Sequence, residues 1–292
     1  MAKWTAANIP PQSGRTVVVT GANSGLGEVT ARELARAGAH VIIACRNTAK
    51  GEAAAARMPG TVEVRALDLA DLSSVRSFAA SLGELDILIN NAGVMAVPLR
   101  RTADGFEMQI GTNHLGHFAL TGLLLDRIRD RVVTVSSVVH RMGRIRLDDL
   151  NWEQGRYQRW LAYAQSKLAN LLFTYELARR LTAAGSPIRA LAAHPGYAAT
   201  NLQSHTESFQ DGIMSLGNRL FAQSSAMGAL PTLYAAVADL PTATFTGPDG
   251  LLQQRGHPKP VPSTKASHNP TTATRLWTLS EHLTNTPYKF TP

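Results

Sequence analysis

The feature that constrains the fold most is an alternation that runs from residue 16 to about residue 196. Short apolar runs rich in β-branched residues, such as "TVVVT" and "HVIIAC", alternate with amphipathic stretches such as "GLGEVTARELARAG". Near-continuous apolar strands that alternate with helices are typical of a parallel sheet covered on both faces. Because crossovers between parallel strands are right-handed, the pattern predicts an α/β Rossmann fold, doubly wound, with a mostly parallel sheet of about seven strands.

The same pattern predicts where the elements lie. Strands are expected at 16–20, 40–45, 61–69, 85–90, 131–137, 188–196 and near 244–253. Helices are expected within 106–129 and at 160–183, 223–239 and 272–283. No linker or repeat interrupts the alternation, so we predict a single domain over residues 1–292.

Three segments of this domain do not follow the alternating pattern. Residues 1–15 are expected to form an N-terminal arm, and the polar, irregular residues 197–222 are placed as a cover over a ligand. The C-terminal extension covers residues 256–292, and its Pro- and Thr-rich part, 256–273, is expected to cross the surface without regular structure.

Composition and charge narrow the class of protein. No apolar run approaches the roughly 20 residues of a membrane span, and the N-terminal residues lack the apolar core of a secretory signal. The only cysteine, Cys45, cannot form an internal disulfide, which fits a reducing compartment, and we predict the cytoplasm. The net charge of +8 comes from scattered basic residues without a dense block, which disfavours nucleic acid as a partner.

A glycine-rich turn, "TGANSGLG" at residues 20–27, lies between the first strand and the first helix. Small residues there let the backbone approach a pyrophosphate, and the helix N-terminus offers free N–H groups. The spacing of Gly21, Gly25 and Gly27 is not the usual G-x-G-x-x-G, so the turn alone is a weak signal. A tight turn without a ligand is the alternative.

The end of the second strand favours one cofactor over another. A carboxylate at this position holds a ribose 2′-OH, but here Cys45 and Arg46 follow the strand. A guanidinium makes charge-assisted bonds to a 2′-phosphate, so Arg46 predicts NADP(H) over NAD(H), the alternative being a solvated surface arginine. Asp68 and "NNAG" at 90–93 end the next two strands and complete a rim where such folds bind ligands, although Asp68 could equally cap a turn.

A tyrosine and a lysine one helical turn apart, Tyr163 and Lys167, carry the candidate chemistry. A free phenol has a pKa of about 10, and a cation within about 4 to 6 Å lowers the pKa of an acid. We therefore expect Lys167 to lower the pKa of Tyr163 and Ser137, at the end of the fifth strand, to polarise a carbonyl. Tyr157 and Tyr175 lie on the same stretch without a lysine four residues on.

These segments together resemble the short-chain dehydrogenase/reductase (SDR) family. Those that carry the resemblance are Thr20 to Gly27, Asn90 to Gly93, Asn113, Ser137, Tyr163 with Lys167, and Pro195-Gly196 followed by Thr200. They occur in the family's order over residues 16 to about 255. Stretches such as "TNHLGHF" and "YAQSKLANLLFTYELARRL" are most similar to the retinol-dehydrogenase-like branch, which includes protochlorophyllide-reductase-like members.

The resemblance implies roles for individual residues. Ser137, chosen over Ser136, would bind the substrate oxygen, Tyr163 would exchange its proton, Lys167 would bind the nicotinamide ribose, and Asn113 would support a water relay through an irregularity in its helix. The catalytic residues are thus Asn113, Ser137, Tyr163 and Lys167. The implied cofactor contacts are Gly21, Asn23, Ser24, Gly25, Leu26, Gly27, Arg46, Asp68, Leu69, Asn91, Ala92, Gly93, Tyr163, Lys167, Pro195, Gly196 and Thr200.

The sequence therefore predicts an NADP(H)-dependent oxidoreductase that interconverts an alcohol and a carbonyl, with a small-molecule substrate of apolar character. A dinucleotide-binding sensor or scaffold without turnover is the alternative. His140 follows Ser137, but no nucleophile elbow surrounds that serine, so acyl transfer is disfavoured. His114, His117 and His194 are interpreted as satisfied helix and loop residues, and no metal is expected. The oligomeric state stays open.

Overall fold

The computed structural model describes residues 3–197 and 223–290. Within these residues the chain forms one sheet of eight strands. The strands are β1 (Thr16–Thr20), β2 (His40–Cys45), β3 (Thr61–Ala66), β4 (Leu85–Asn90), β5 (Ile128–Val135), β6 (Arg189–Ala193), β7 (Phe245–Pro248) and β8 (Pro258–Pro260). Their order in the sheet is β3-β2-β1-β4-β5-β6-β7-β8, and only β8 is antiparallel to its neighbour.

Helices connect the parallel strands. They are α1 (Gly25–Arg36), α2 (Thr48–Ala55), α3 (Leu72–Ala80), α4 (Met108–Ile110), α5 (Gly116–Leu124), α6 (Arg159–Ala183), α7 (Ser225–Val237) and α8 (Pro270–Thr284). A π-helical segment, Gly111–Leu115, joins α4 to α5. Side-chain oxygens cap several helix N-termini: Asn47 accepts from Lys50 N, and Asp71 accepts from Ser73 N and Ser74 N. Such caps satisfy N–H groups that the first turn of a helix leaves without partners.

The core consists of two layers, one on each face of the sheet. One face of the sheet packs against α3, α5, α6 and α8, around buried side chains such as Phe118, Phe173 and Trp277. The other face packs against α1 and α7, through Leu34 and Leu233 among others. The central strands therefore have apolar side chains on both faces, which is why they read as continuous apolar runs. The predicted doubly wound, mostly parallel sheet is confirmed.

The C-terminal part differs from its sequence-based description. Residues 256–273 were expected to lack regular structure, but β8 pairs with β7 through Thr246 and Pro260 and adds an eighth strand. A three-residue strand with proline at both ends carries no periodic signal, so its pairing depends on the edge that β7 offers. The fifth strand also begins earlier than predicted, at Ile128, because the apolar stretch that starts at residue 106 stops being helical before that residue.

No helix within residues 3–197 and 223–290 is long and apolar enough to cross a membrane. The predicted cover at 197–222 lies, apart from Tyr197, outside the residues that the structure describes.

Candidate active site

The glycine turn packs tightly against the end of β4. Gly21 has a φ of 66°, and a Cβ there would lie 2.9 Å from both Cα and Cβ of Ala92. At Gly27 a Cβ would lie 2.5 Å from Nδ2 of Asn91. Larger residues at either position would therefore push the turn away from the strand ends. The turn itself is half-buried around Asn23 and within reach of a ligand.

Hydrogen bonds from Thr20 hold the turn in place. Its hydroxyl oxygen accepts from the backbone N–H groups of Asn91 and Ala92, both at 3.0 Å. The side chain of Asn91 donates to the carbonyl of Thr20 at 2.8 Å, and Gly21 N donates to the carbonyl of Ala44 at 2.7 Å. The ends of β1, β2 and β4 are thus joined into one rim. Asn91, implied by resemblance to contact a cofactor, uses its side-chain amide to build this rim.

The first turn of α1 faces the rim with its backbone N–H groups. Ser24 is the N-cap, and its hydroxyl makes no capping bond to the helix. Gly25 and Leu26 follow and are half-buried, so a negative group near them would meet the positive end of the helix. Arg46 lies just past β2, is exposed, and forms no ion pair or side-chain hydrogen bond with the other described residues. Its guanidinium is available to an anion at this end of the sheet.

The other predicted cofactor residues occupy three places. The Asp68 carboxylate accepts from Ala70 N at 2.9 Å, so it does cap a turn, while staying half-buried at the rim. Leu69 is 6% exposed, and its carbonyl packs against Gly116. Gly196 follows Pro195 after β6 with a φ of 67°, where a Cβ would lie 2.4 Å from the carbonyl oxygen of Gln254. Thr200 lies outside the described residues.

Asn113 lies in the π-helical segment and anchors the chain beyond β4. Its Oδ1 accepts from Val94 N at 2.8 Å, and its Nδ2 donates to Val94 O and to Ser166 Oγ, both at 2.9 Å. A Cβ at Gly93 would lie 3.1 Å from this Oδ1 and 3.4 Å from Nζ of Lys167. The irregularity expected in this helix is present as the π-helical segment, in which each hydrogen bond spans one residue more than in an α-helix.

Ser137, Tyr163 and Lys167 come together at the carboxyl end of β5. The Tyr163 side chain interacts with that of Ser137, whereas the Ser136 hydroxyl donates to the carbonyl of Lys167 at 2.8 Å. Nζ of Lys167 lies 5.8 Å from the centroid of the Tyr163 ring and donates to the carbonyl of Val135 at 3.1 Å. Tyr163 is 6% and Lys167 4% exposed, so the polar groups of both side chains are largely shielded from water.

The pKa of Tyr163 differs from the sequence-based expectation. Burial raises the pKa of Tyr163 to about 12, against the opposing effect of its hydrogen bond with Ser137. Burial also lowers the pKa of Lys167 to about 8, so the ammonium carries less charge than a solvated lysine at alkaline pH. The pKa of Tyr163 therefore lies above that of a free phenol, because loss of hydration outweighs the effect of Ser137. The expected contribution of Lys167 stays a prediction.

Comparisons with known proteins place this arrangement in a family. The family model for short chain dehydrogenases matches residues 15–211 of this chain. The chain is a member of the short-chain dehydrogenase family. Retinol dehydrogenase 13 of Homo sapiens is 45% identical over 296 residues, which cover 95% of this chain and 86% of that protein. The chain thus belongs to the retinol-dehydrogenase-like branch, and it is an oxidoreductase that acts on CH–OH groups.

Solved structures agree with the fold. The crystal structure of an uncharacterized protein from Mycobacterium Paratuberculosis has a TM-score of 0.88 and 59% identity, and covers 99% of this chain and 100% of that chain. A Beutenbergia cavernae protein solved with bound NADP at low occupancy has a TM-score of 0.59 and 27% identity, with coverage of 78% and 92%.

The buried residues around the site of this short-chain dehydrogenase include several that the sequence analysis did not single out. Asn170 donates to the same Val135 carbonyl as Lys167, at 3.1 Å, and Ser166 lies between Asn113 and Tyr163. Glu107, fully buried, accepts from Gln109 N and Ile110 N at the start of α4. Polar residues on a helix that is otherwise buried all round were the available signal for Ser166 and Asn170.

The histidines near the site are buried and neutral. Burial lowers the pKa of His114 to about 3, that of His117 to about 4 and that of His194 to about 3. Each has a ring nitrogen in contact with a polar partner: Ser280, Thr20 and Gln253, respectively. Within the described ranges, no group of three or more His, Cys, Asp or Glu residues could hold a metal ion.

Proposed function

We propose that this protein is an NADP(H)-dependent oxidoreductase that interconverts an alcohol and a carbonyl on an apolar substrate, with Tyr163 as the proton donor and acceptor. The observation that carries the proposal is that Ser137, Tyr163 and Lys167 meet at the carboxyl end of β5, with Nζ of Lys167 5.8 Å from the centroid of the phenol ring and both side chains buried. Carbonyl reduction needs a proton donor, a hydroxyl that orients the substrate oxygen and a cation, all shielded from water.

The proton chemistry follows from the pKa values. With a pKa of about 12, Tyr163 is protonated at neutral pH and is a donor to a carbonyl oxygen. Loss of that proton creates a buried phenolate, and Lys167, with a pKa of about 8, is still mostly protonated at pH 7 and stabilises it. Ser137 keeps the hydroxyl oriented. The reverse reaction uses the same groups in the opposite order.

The residues of the rim suit a dinucleotide. A Cβ at Gly21 or Gly27 would collide with neighbouring backbone and side-chain atoms, so only glycine lets the turn pack this closely against the strand ends. The first turn of α1 lacks a side-chain cap, so its backbone N–H groups can bind a ligand. We infer that Ser24, Gly25 and Leu26 hold a pyrophosphate through backbone N–H groups, and that Lys167 and Gly93 face the ribose beside the reacting carbon. A nicotinamide bound there supplies the hydride.

The preference for NADP(H) rests on Arg46. Its guanidinium is exposed and unpaired among the described residues, and it directly follows Cys45 at the end of β2. We expect Arg46→Ala to raise the Kd of NADP about 10- to 100-fold and to leave the Kd of NAD nearly unchanged, because only the 2′-phosphate meets the guanidinium. Isothermal titration of both dinucleotides tests this. Lys50→Ala, also exposed nearby, is the control, and wild-type protein that binds NAD as well as NADP contradicts the preference.

An apolar substrate is supported by the surroundings of Tyr163. The Trp160 ring contacts the Tyr163 ring edge-on at 6.3 Å and stays 36% exposed. Met142 is 58% exposed, and the following Gly143 packs against Ala164 beside Tyr163. Exposed apolar side chains next to reacting groups favour a substrate with an apolar body. The relative named for retinol, an apolar alcohol, points the same way.

The decisive experiment compares wild type with Tyr163→Phe. NADPH oxidation is followed by absorbance with straight-chain aldehydes of increasing length and with retinal. We expect kcat/KM to rise with apolar chain length and Tyr163→Phe to lower it about 100-fold or more, with NADPH affinity retained. Tyr175→Phe, on the same helix, is the matched control.

Two results would count against the enzyme assignment. Near-wild-type turnover by Tyr163→Phe would remove the proton-transfer role. NADPH binding without turnover of any substrate would instead favour the sensor or scaffold.

We also propose a cytoplasmic location, on the basis that Cys45 is a free, buried thiol, as in a reducing compartment.

A further inference from the structure

A chain of buried hydrogen bonds joins the glycine turn to the helix that carries Tyr163. It passes through the side chains of Thr20 and His117, then through the backbone carbonyl and the side-chain amide of Asn113, and then through the side chain of Ser166. All four residues are 0 to 1% exposed. The contacts are Thr20 Oγ1 to His117 Nε2 at 2.8 Å, His117 Nδ1 to Asn113 O at 3.1 Å, and Asn113 Nδ2 to Ser166 Oγ at 2.9 Å. Ser166 Oγ then donates to the carbonyl of Tyr163 at 2.8 Å.

The position of the proton on His117 follows from Thr20. The Thr20 oxygen already accepts two hydrogen bonds, from Asn91 N and Ala92 N, which use both of its lone pairs. Its own proton must therefore be donated, and the nearest acceptor is Nε2 of His117 at 2.8 Å, against 3.4 Å for the carbonyl of Ile89. Nε2 of His117 is thus the unprotonated nitrogen.

The rest of the chain has the same direction. Since the ring is neutral and Nε2 lacks a proton, Nδ1 carries it and donates to the carbonyl of Asn113, which can only accept. Asn113 in turn donates to Ser166, and Ser166 donates to the carbonyl of Tyr163. Every donor points from the cofactor rim toward the catalytic helix. The bonds form two runs, Thr20 to His117 to the Asn113 carbonyl and the Asn113 amide to Ser166 to the Tyr163 carbonyl, and bonds within one run polarise one another. The covalent skeleton of Asn113 joins the two runs.

We propose that His117, held as the neutral Nδ1–H tautomer, is a positioning residue that couples the glycine turn at the end of β1 to the turn of α6 that carries Tyr163. This rests on the proposed function for its kinetic consequence, because the two ends of the chain are the proposed cofactor rim and the proposed proton donor. His117 has this role because the π-helical segment brings its ring between Thr20 and the Asn113 carbonyl. It contacts the network and not the reacting atoms.

The tautomer is tested in the unmodified protein. Nitrogen-15 NMR of histidine-labelled full chain at pH 7 is expected to show one ring with protonated Nδ1 and unprotonated Nε2 that disappears in His117→Gln. The proposal is overturned if the ring whose signals His117→Gln removes is protonated on Nε2, or on both nitrogens, at pH 7. This measurement needs neither cofactor nor turnover, so a failure of the proposed enzyme activity leaves it interpretable.

Variants test the coupling. His117→Phe removes the acceptor for Thr20 and the donor for Asn113, and we expect it to raise the Kd of NADPH and to lower kcat, each about tenfold. His117→Gln keeps polar atoms in the same space and is expected to recover a large part of both losses. Equal losses in the Phe and Gln variants would mean that ring volume, not hydrogen bonding, matters. His282→Phe, an exposed histidine on α8, is the control.

A double-mutant cycle separates coupling from general destabilisation. Thr20→Val removes the bond to His117 and also the two bonds from Asn91 N and Ala92 N, so its own loss is expected to exceed that of His117→Phe. The Thr20→Val/His117→Phe double variant is then expected to bind NADPH no more than about twofold worse than Thr20→Val alone. Additive losses, in which His117→Phe weakens binding about tenfold in the Thr20→Val background as it does in wild type, would show that the two residues act independently and would overturn the proposal. Each variant is compared at equal folded fraction, checked by circular dichroism.

Discussion

At the scale of single residues, burial controls the charges of the site. The pKa of Lys167 is lowered from 10.5 to about 8, while that of Tyr163 is raised from 10.0 to about 12. Between pH 8 and 10 the unfolded chain therefore binds a proton on Lys167 that the folded protein has lost, and stability attributable to Lys167 rises with pH. Tyr163 acts in the opposite sense, but only above pH 10.

This predicts a pH-dependent stability difference between wild type and Lys167→Met. From pH 8 to 10 wild type should gain about 2 kcal/mol relative to the variant, since each pKa unit corresponds to about 1.4 kcal/mol. Urea denaturation at pH 7, 8.5 and 10 measures the difference, and the burial-raised pKa of Cys45 contributes equally to both proteins. Lys265→Met, at an exposed lysine, serves as the reference. A constant difference across this range would mean that Lys167 is not desolvated.

At the scale of elements, the segment of α4, the π-helix and α5 depends on a buried cap. Glu107 is fully buried, which raises its pKa, and its carboxylate accepts from Gln109 N, Ile110 N and the Tyr157 hydroxyl. Glutamate is not a favoured N-cap residue, so the sequence pattern could not identify this cap. Its partners become apparent only when Tyr157 and α4 are brought together.

We expect Glu107→Ala to lower the free energy of unfolding by about 2 to 4 kcal/mol, because the buried N–H groups of Gln109 and Ile110 and the half-buried Tyr157 hydroxyl lose their acceptor. Asp71→Ala is the matched comparison, since Asp71 caps α3 in a solvated position through Ser73 N and should cost only about 1 kcal/mol. Urea denaturation at pH 7 measures both. Equal costs would show that burial of the Glu107 cap adds nothing.

At the scale of the whole molecule, the C-terminal extension is part of the core. Trp277 of α8 stacks on Phe173 at 5.8 Å, and the Tyr288 hydroxyl donates to the carbonyl of Phe118 at 2.6 Å. The Tyr288 ring lies over Gly122 of α5, where a Cβ would come within 2.5 Å of it. Docking of the extension therefore depends on a residue more than 160 positions away in the chain.

The glycine contact predicts the effect of one methyl group. Gly122→Ala should destabilise the protein by about 1 to 3 kcal/mol, because the added Cβ must displace a packed aromatic ring. Gly83→Ala is the control: its Cβ would meet nothing within 4 Å, and its cost should be near zero or slightly favourable. Thermal unfolding of both variants measures this, and a neutral Gly122→Ala would indicate that Tyr288 is loosely held.

The sequence by itself determined the features that depend on local periodicity. The strands from β1 to β6, the glycine turn and the one-turn spacing of Tyr163 and Lys167 follow from patterns within a few residues, and these were sufficient to indicate both the family and the edge of the sheet that carries the site. Tertiary structure alone decided the pairing of β8, the docking of Tyr288, the tautomer of His117 and the raised pKa of Tyr163. Each of these depends on which distant groups exclude water or supply a hydrogen-bond partner, and no spacing along the chain encodes that.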